Sequence, residues 1–371
     1  LDIERLVLAI SAETGVSIEA ENTLIIFDEV QEVPKALTSL KYFHENAPQY
    51  AIVAAGSLLG VALHQGTSFP VGKVDFLDLY PLNFREFLCA MGEKQFVSML
   101  DSCDTQMVTV FKTKYIERLR EYYFVGGMPE VVKDFSEKKD YNRVRAIQKN
   151  LINYYQQDFS KHAEIKLVPR LNLVWNSIPM QLAKENKKYI YGQVREGSRA
   201  KDFELAIQWL LDCGLIHKVQ RIQKPDLPLK AYIDFDAFKL FLVDIGLLIA
   251  MTDLDAKVII EGNKIFTEFK GSLTEQYILQ QLISDVGVIP YYYSTQNSKG
   301  EIDFLVQGKT SVIPIEVKAE ENLKAKSLKA FCEKYQPSYA VRTSMSDYRE
   351  QDWMTNIPLY AIKWIENYVN Q

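Results

Sequence analysis

The chain has 371 residues, of which 47% are hydrophobic and 25% charged, and its formal net charge is −5. That size accommodates two or three domains of roughly 100–200 residues, and the composition is that of a cored globular protein rather than a disordered or fibrous one. The acidic balance offers no overall attraction to nucleic acid, and no apolar run reaches the roughly 18 residues of a membrane span.

A first helix is expected from Leu1 to about Thr14. Leu24-Ile25-Ile26-Phe27 is a short continuous apolar run, the pattern of a strand covered on both faces in a parallel sheet, and it ends in Asp28-Glu29. Pro34 to His44 reads as a helix with Leu37, Leu40 and Phe43 on one side. A second buried strand, Tyr50 to Ala55, ends at Gly56-Ser57. Strand, helix and strand make an α/β unit, and in such sheets chemistry gathers at the carboxyl edge, where Asp28, Glu29 and Ser57 emerge.

Residues 84–160 read as helical and tyrosine-rich, with a break at Gly126-Gly127-Met128-Pro129. A helix over Arg170–Lys184 leads into a basic segment, then a helix from Ser198 to Cys213 with Gly214 as its stop. Strands are expected at Leu215–Ile222 and Leu229–Phe235; helices followed by a hairpin of this size fit a winged helix. From about Glu261 the pattern gives a helix (Ser272–Ile283), a tyrosine-rich strand, and a hairpin of Ile302–Val306 and Val312–Val317 turning at Gly308-Lys309. The expected divisions are therefore 1–83, 84–160, 161–255 and 256–371. The fold class is α/β: a partial parallel sheet, a helical segment, a winged helix and a second α/β domain.

An aspartate at the tip of a buried strand can hold Mg²⁺ through water, because oxygen ligands suit that hard cation. The adjacent glutamate would polarise an attacking water, and Ser57 on the neighbouring strand could sense a γ-phosphate. A solvent-facing acidic turn after a core strand is the alternative. The stretch from Gly66 to Val74 does not supply a phosphate-binding loop. Its glycines are one residue too far apart, Val74 stands where a hydroxyl belongs, and it follows the acids rather than preceding them.

TLIIFDEVQEVPKAL, AIVAAGSLLG and FPVGKVDFLDLYPLNFREFL resemble a prokaryotic AAA-type ATPase family with an appended carboxyl-terminal region. The resemblance continues through YYFVGGMPEVV, NYYQQDFSKH, SIPMQLAKENKKYIY and PLKAYIDFDAFKLFLVDIGLL. It implies a P-loop fold, ATP and Mg²⁺ as cofactors, Asp28 and Glu29 as the Walker B pair, and Ser57 as a sensor. Many relatives carry Gly-Arg where this chain has Gly72-Lys73, so Lys73 would offer a charge to nucleotide on a neighbouring subunit of a homo-oligomer, without arginine's planar fork. In that family the phosphate loop precedes the residues present here. An amino-terminally truncated chain that binds ATP weakly is therefore expected.

A second set of acids lies in Gly300-Glu301-Ile302-Asp303 and Ile315-Glu316-Val317-Lys318. Alternation puts Glu316 and Lys318 on one strand face, Asp303 can reach that face across the hairpin, and Glu275 can join from the preceding helix. Carboxylates on Mg²⁺ beside a lysine suit phosphodiester hydrolysis. The arrangement resembles the PD-(D/E)xK nuclease fold, with Glu275, Asp303, Glu316 and Lys318 at the matching positions and Asp303 and Glu316 as metal ligands.

Lys184, Lys187, Lys188, Arg195, Arg199 and Lys201 precede and open the Ser198 helix, with Lys218, Arg221 and Lys224 on the hairpin. In a winged helix these would contact DNA phosphates; a solvated face binding protein is the alternative. The four cysteines (Cys89, Cys103, Cys213, Cys332) and four histidines (His44, His64, His162, His217) have no ligand spacing, which fits reduced thiols in a cytoplasm. The expected function is an ATPase regulating a DNA-associated, nuclease-like module. A metal-dependent nuclease and a non-catalytic DNA-binding scaffold are the alternatives.

Overall fold

Asp2 opens helix α1 (Ile3–Thr14) by accepting from the Arg5 backbone N–H at 3.1 Å, and Gly15 closes it in the left-handed conformation. The computed structural model describes residues 2–56, 72–184, 187–261, 267–295, 300–320 and 325–371. It divides into two units, Leu1–Leu79 with Ile207–Leu215, and Tyr80–Ala206 with Ile216–Gln371.

In the first unit, β1 (Leu24–Phe27) leads through a 3₁₀ turn (Val30–Glu32) into α2 (Pro34–Asn46) and then β2 (Ala51–Ala54). The two strands are parallel, in register from Leu24 against Ala51 to Phe27 against Ala54. Ile3 and Val7 of α1, Ile25 of β1, Phe43 of α2 and Ala47 just after it form one apolar cluster. Both helices thus cover the same sheet face. The expectation of a strand buried on both faces is corrected here: Ile25 is buried, whereas Leu24 and Ile26 are 53% and 60% exposed. A continuous apolar run marks a strand without telling which faces are covered.

The second unit opens with helices α3 (Phe84–Ala90), α4 (Lys94–Asp101), α5 (Thr105–Val110), α6 (Lys112–Val125), α7 (Pro129–Lys138), α8 (Tyr141–His162) and α9 (Val168–Leu182). Asn83 and Glu86 cap α3 reciprocally, each side chain taking the other's backbone N–H at 2.9 and 2.8 Å. The Gly126-Gly127 break between α6 and α7 is a close approach. A Cβ on Gly126 would lie 2.3 Å from Asp244 Oδ1, and one on Gly127 2.1 Å from the Leu82 carbonyl oxygen. Gly126 also sits at φ +75°, where glycine is favoured.

After a short α10 (Tyr191–Val194), α11 (Ala200–Asp212) leads to strands β3 (Ile216–Ile222) and β4 (Ile233–Leu242). The helix begins at Ala200 rather than at Ser198, with the Asp202 carboxylate accepting from the Arg199 N–H at 2.8 Å. Then follow α12 (Ile245–Met251), α13 (Ala256–Ile260), α14 (Thr267–Gln281), β5 (Tyr291–Ser294), β6 (Glu301–Gln307) and β7 (Val312–Val317). The chain closes with α15 (Lys326–Tyr335), β8 (Val341–Ser344), β9 (Arg349–Gln351), β10 (Met354–Pro358) and α16 (Glu366–Val369).

Among the described residues, eight strands form one mixed sheet in the order β4-β3-β5-β6-β7-β8-β10-β9. The hairpin expected as a separate wing is the end of this sheet. Arg221 and Ile222 of β3 pair in parallel with Tyr292 and Tyr293 of β5. The boundary expected at 255/256 therefore cuts a single sheet. Apolar strands without other cover bury their edges where a partner edge is available, and β5 supplies it.

Helix α14 is tied to its surroundings by glutamines. Gln276 brackets Leu242 with two bonds of 3.0 and 2.7 Å, Gln280 accepts from the Ile245 N–H at 3.1 Å, and Gln281 accepts from the Phe84 N–H at 2.8 Å. These bonds satisfy backbone groups at the end of β4 and the starts of α12 and α3, and they hold Glu275 in place.

Candidate functional site

The acid pair of the first unit emerges at the carboxyl end of β1. Ala55 donates to the Phe27 carbonyl at 2.8 Å, and Val30 donates to the Ala55 carbonyl at 3.0 Å. The chain between them turns sharply: Asp28 Oδ1 accepts from the Glu29 N–H at 2.9 Å, and Glu29 adopts the left-handed conformation (φ 50°, ψ 42°). A residue other than glycine held there costs roughly 1–2 kcal/mol, and such strain concentrates at functional sites. Both acids are exposed. Oxygen ligands on a solvent-facing strand tip fit a hydrated Mg²⁺. Ser57 lies outside the described residues, as do residues 66–71 of the glycine-bearing stretch. Lys73 is described, and its ammonium is 3.7 Å from Glu45 Oε1.

The second unit brings Glu275, Asp303, Glu316 and Lys318 together, and it adds groups the sequence pattern did not single out for this site. Phe304 pairs with Ile315, so one step along the ladder sets Asp303 opposite Glu316, on the same face. Asp303 Oδ2 accepts from the Val317 N–H at 2.7 Å, and Lys318 Nζ contacts Glu316 Oε1 at 2.5 Å. Glu275 enters from α14, where Lys187 binds Oε1 and Lys239 Nζ lies 3.6 Å from Oε2. Lys239 starts on β4, passes over the Tyr292 ring of β5 at 4.8 Å, and also pairs with Glu301 of β6.

Burial, reinforced by Glu275 and Glu316, holds the Asp303 carboxyl well above the usual carboxylate range. Burial also raises Glu316, with Lys318 opposing. For Glu275 burial again favours the neutral form, but Lys187 and Lys239 outweigh it and the net shift is downward. Burial disfavours the Lys239 cation, yet Glu275 and Glu301 more than compensate, and its pKa is raised.

Two observations decide whether Mg²⁺ fits here. Glu275 Oε2 and Glu316 Oε2 have no hydrogen-bond partner among the described residues, which leaves oxygens for a cation. Against this stand three ammonium groups. A divalent ion about 4 Å from one ammonium is repelled by roughly 8 kcal/mol at an effective dielectric near 20, whereas a carboxylate oxygen that ligates it directly lies at roughly 2 Å and attracts it about twice as strongly. Lys187, Lys239 and Lys318 therefore offset part of what Glu275, Glu301 and Glu316 offer. Among the described residues no group of three acidic, His or Cys side chains is arranged to hold a metal. The set that holds the expected metal ligands Asp303 and Glu316 thus also holds three ammonium groups.

Lys187 was expected among the DNA-contacting bases; the structure turns it into the acid cluster. Lys239 had a legible signal, a lone charge inside the apolar run Ala237-Phe238-Lys239-Leu240-Phe241. The hairpin's bases are also engaged at home: Lys218 lies 4.3 Å from the centre of the Phe238 ring, Arg221 pairs with Asp234, and Lys224 pairs with Asp226 at 2.6 Å. Arg195, Arg199 and Lys201 are exposed and Lys188 is partly buried. Tyr122 is buried in the helical core, donating to the Leu82 carbonyl at 2.5 Å.

Family models match three successive parts of the chain. Residues 2–88 match an AAA domain, residues 116–258 a domain of unknown function (DUF8612), and residues 270–362 another (DUF4143). No curated protein matches. Among solved structures the chain is similar to the Walker-type ATPase PABY2304 of Pyrococcus abyssi, with 14% identity and a TM-score of 0.40, over 67% of this chain and 66% of that one. The chain thus spans just under two thirds of that structure. No helix among the described residues is long and apolar enough to cross a membrane. The AAA match covers the acid pair and supports an ATP-binding ATPase of the P-loop class for the amino-terminal segment.

Proposed function

We propose that the first unit is the acid-bearing part of an ATPase site whose hydrolysis switches the carboxyl-terminal unit. The observation that carries this reading is the strained Asp28-Glu29 turn at the carboxyl edge of a parallel strand pair, inside the segment that matches an AAA domain. Bound ATP with Mg²⁺ supplies an electrophilic γ-phosphate. Asp28 holds the ion's water shell, and Glu29 orients and polarises the attacking water. Ser57 senses the γ-phosphate, and Lys73 offers its charge to nucleotide on a neighbouring copy.

ATP hydrolysis by the protein, compared with Glu29→Gln, tests the assignment. Turnover should fall while ATP binding persists; turnover equal to the parent would remove Glu29 from the reaction. Asp28→Asn should weaken the dependence on Mg²⁺.

The carboxyl-terminal unit is, in this reading, a nuclease-like fold that binds without cutting. Lysines on Glu275 favour that over a metal-dependent nuclease. DNA incubated with Mg²⁺ or Mn²⁺ separates the two: cleavage that Asp303→Ala abolishes would establish the nuclease.

A further inference from the structure

We infer that Lys187 and Lys239 take the place of a divalent cation among Glu275, Glu301, Asp303 and Glu316, and that this cluster is a metal-excluding brace rather than a metal centre. The inference is independent of the ATPase reading, since it concerns only the second unit.

The geometry is that of a clamp. Lys239 comes from β4, Glu301 and Asp303 from β6, Glu316 and Lys318 from β7, and Glu275 from α14. Lys187 arrives on the short segment between α9 and α10, anchored beside it by the Tyr189 N–H to the Phe238 carbonyl at 2.8 Å. The same segment is fastened to α9, with Gln181 and Ile190 exchanging bonds of 3.0 and 3.1 Å. Lys187 and Glu275 side chains are 14% and 6% exposed, and that of Lys239 is 1% exposed. An ammonium so enclosed persists only beside carboxylates, and carboxylates so enclosed persist only beside a cation. Each set therefore accounts for the other, and neither requires an ion from solution.

Each ammonium also sits where a metal would draw its charge. Lys187 occupies Glu275 Oε1, Lys239 faces Oε2, and Lys318 occupies Glu316 Oε1. Taking away Lys187, the most accessible of the clamp's lysines on Glu275, should uncover an affinity for a hard divalent ion that the intact cluster suppresses.

Mn²⁺ binding tests this, followed by the loss of the free-ion electron paramagnetic signal on titrating MnCl₂ into the 371-residue chain. All arms carry Asp28→Asn, so that the first unit does not contribute. The chain with its lysines intact should show no stoichiometric site. Lys187→Ala should acquire one, at least about tenfold tighter than any binding in that parent, and Asp303→Asn in that background should remove it. Circular dichroism checks folding, and Lys187→Met replaces the alanine variant if that one unfolds. One tightly bound Mn²⁺ in the parent that Glu316→Gln abolishes would overturn the inference. So would folded Lys187 variants that bind no more Mn²⁺ than the parent.

Discussion

The Lys239 ammonium on β4 stands 3.6 Å from Glu275 Oε2 on α14 while pairing with Glu301 on β6. One buried cation thus joins two strands and a helix that are distant in sequence. Truncating a partner of such a pair leaves a charge buried alone, which costs about 3–5 kcal/mol, whereas replacing both partners with neutral groups costs far less. Lys239→Ala should therefore destabilise the chain by that amount in urea denaturation. Lys239→Met combined with Glu275→Gln should cost less than the two single losses added together, although it leaves Lys187 and Glu301 without these partners. A loss in the double variant equal to the sum of the Lys239 and Glu275 single losses would show that the pair is not coupled.

Gly127 and Gly271 should respond in opposite directions to alanine. At Gly127 the new methyl meets the Leu82 carbonyl, and overpacking of this kind costs about 1–3 kcal/mol. At Gly271, inside α14, no atom of the described residues lies within 4 Å of the added carbon, and alanine is favoured in a helix by about 0.8–1.0 kcal/mol. Thermal unfolding of Gly127→Ala should come earlier than in the parent, and that of Gly271→Ala later.

His217 on β3 stands beside the Tyr80 ring and is lowered by burial from 6.5 to about 4. Because the folded value lies below the unfolded one, its contribution to stability is complete above pH 6.5. It is lost as pH falls toward about 4, where the unfolded chain alone takes up the proton. Stability measured across that window should fall less steeply in His217→Gln. An unchanged slope would mean that other groups govern the acid limb.

Arg195, Arg199 and Lys201, before and at the start of α11, are exposed. If Arg199 meets a phosphate, Arg199→Ala should weaken binding at all DNA sequences alike and reduce the salt slope by about 1. Binding that keeps both its strength and its salt dependence would assign this face to a protein partner instead.

Local pattern was enough to find β1, β2, β6 and β7, because short apolar runs bounded by turn residues have few other ways to be buried. It also selected Asp303, Glu316 and Lys318 as neighbours, since alternation along a hairpin decides which side chains share a face. The Asp28-Glu29 pair was legible as the end of an apolar run; its strained backbone was not, because φ and ψ there depend on the Ala55 and Val30 bonds across the sheet.

The sequence by itself determined which residues carry charge and where strands and helices run. The tertiary structure decided which charges meet. Lys187 looked like a phosphate contact and Lys239 an oddity in a strand until the fold carried both to Glu275. It also decided that the β3–β4 hairpin completes a sheet and that β1 is covered on one face. The physical reason is the same in each case. Local propensity acts between residues a few positions apart, whereas burial and ion pairing are set by neighbours tens of residues away.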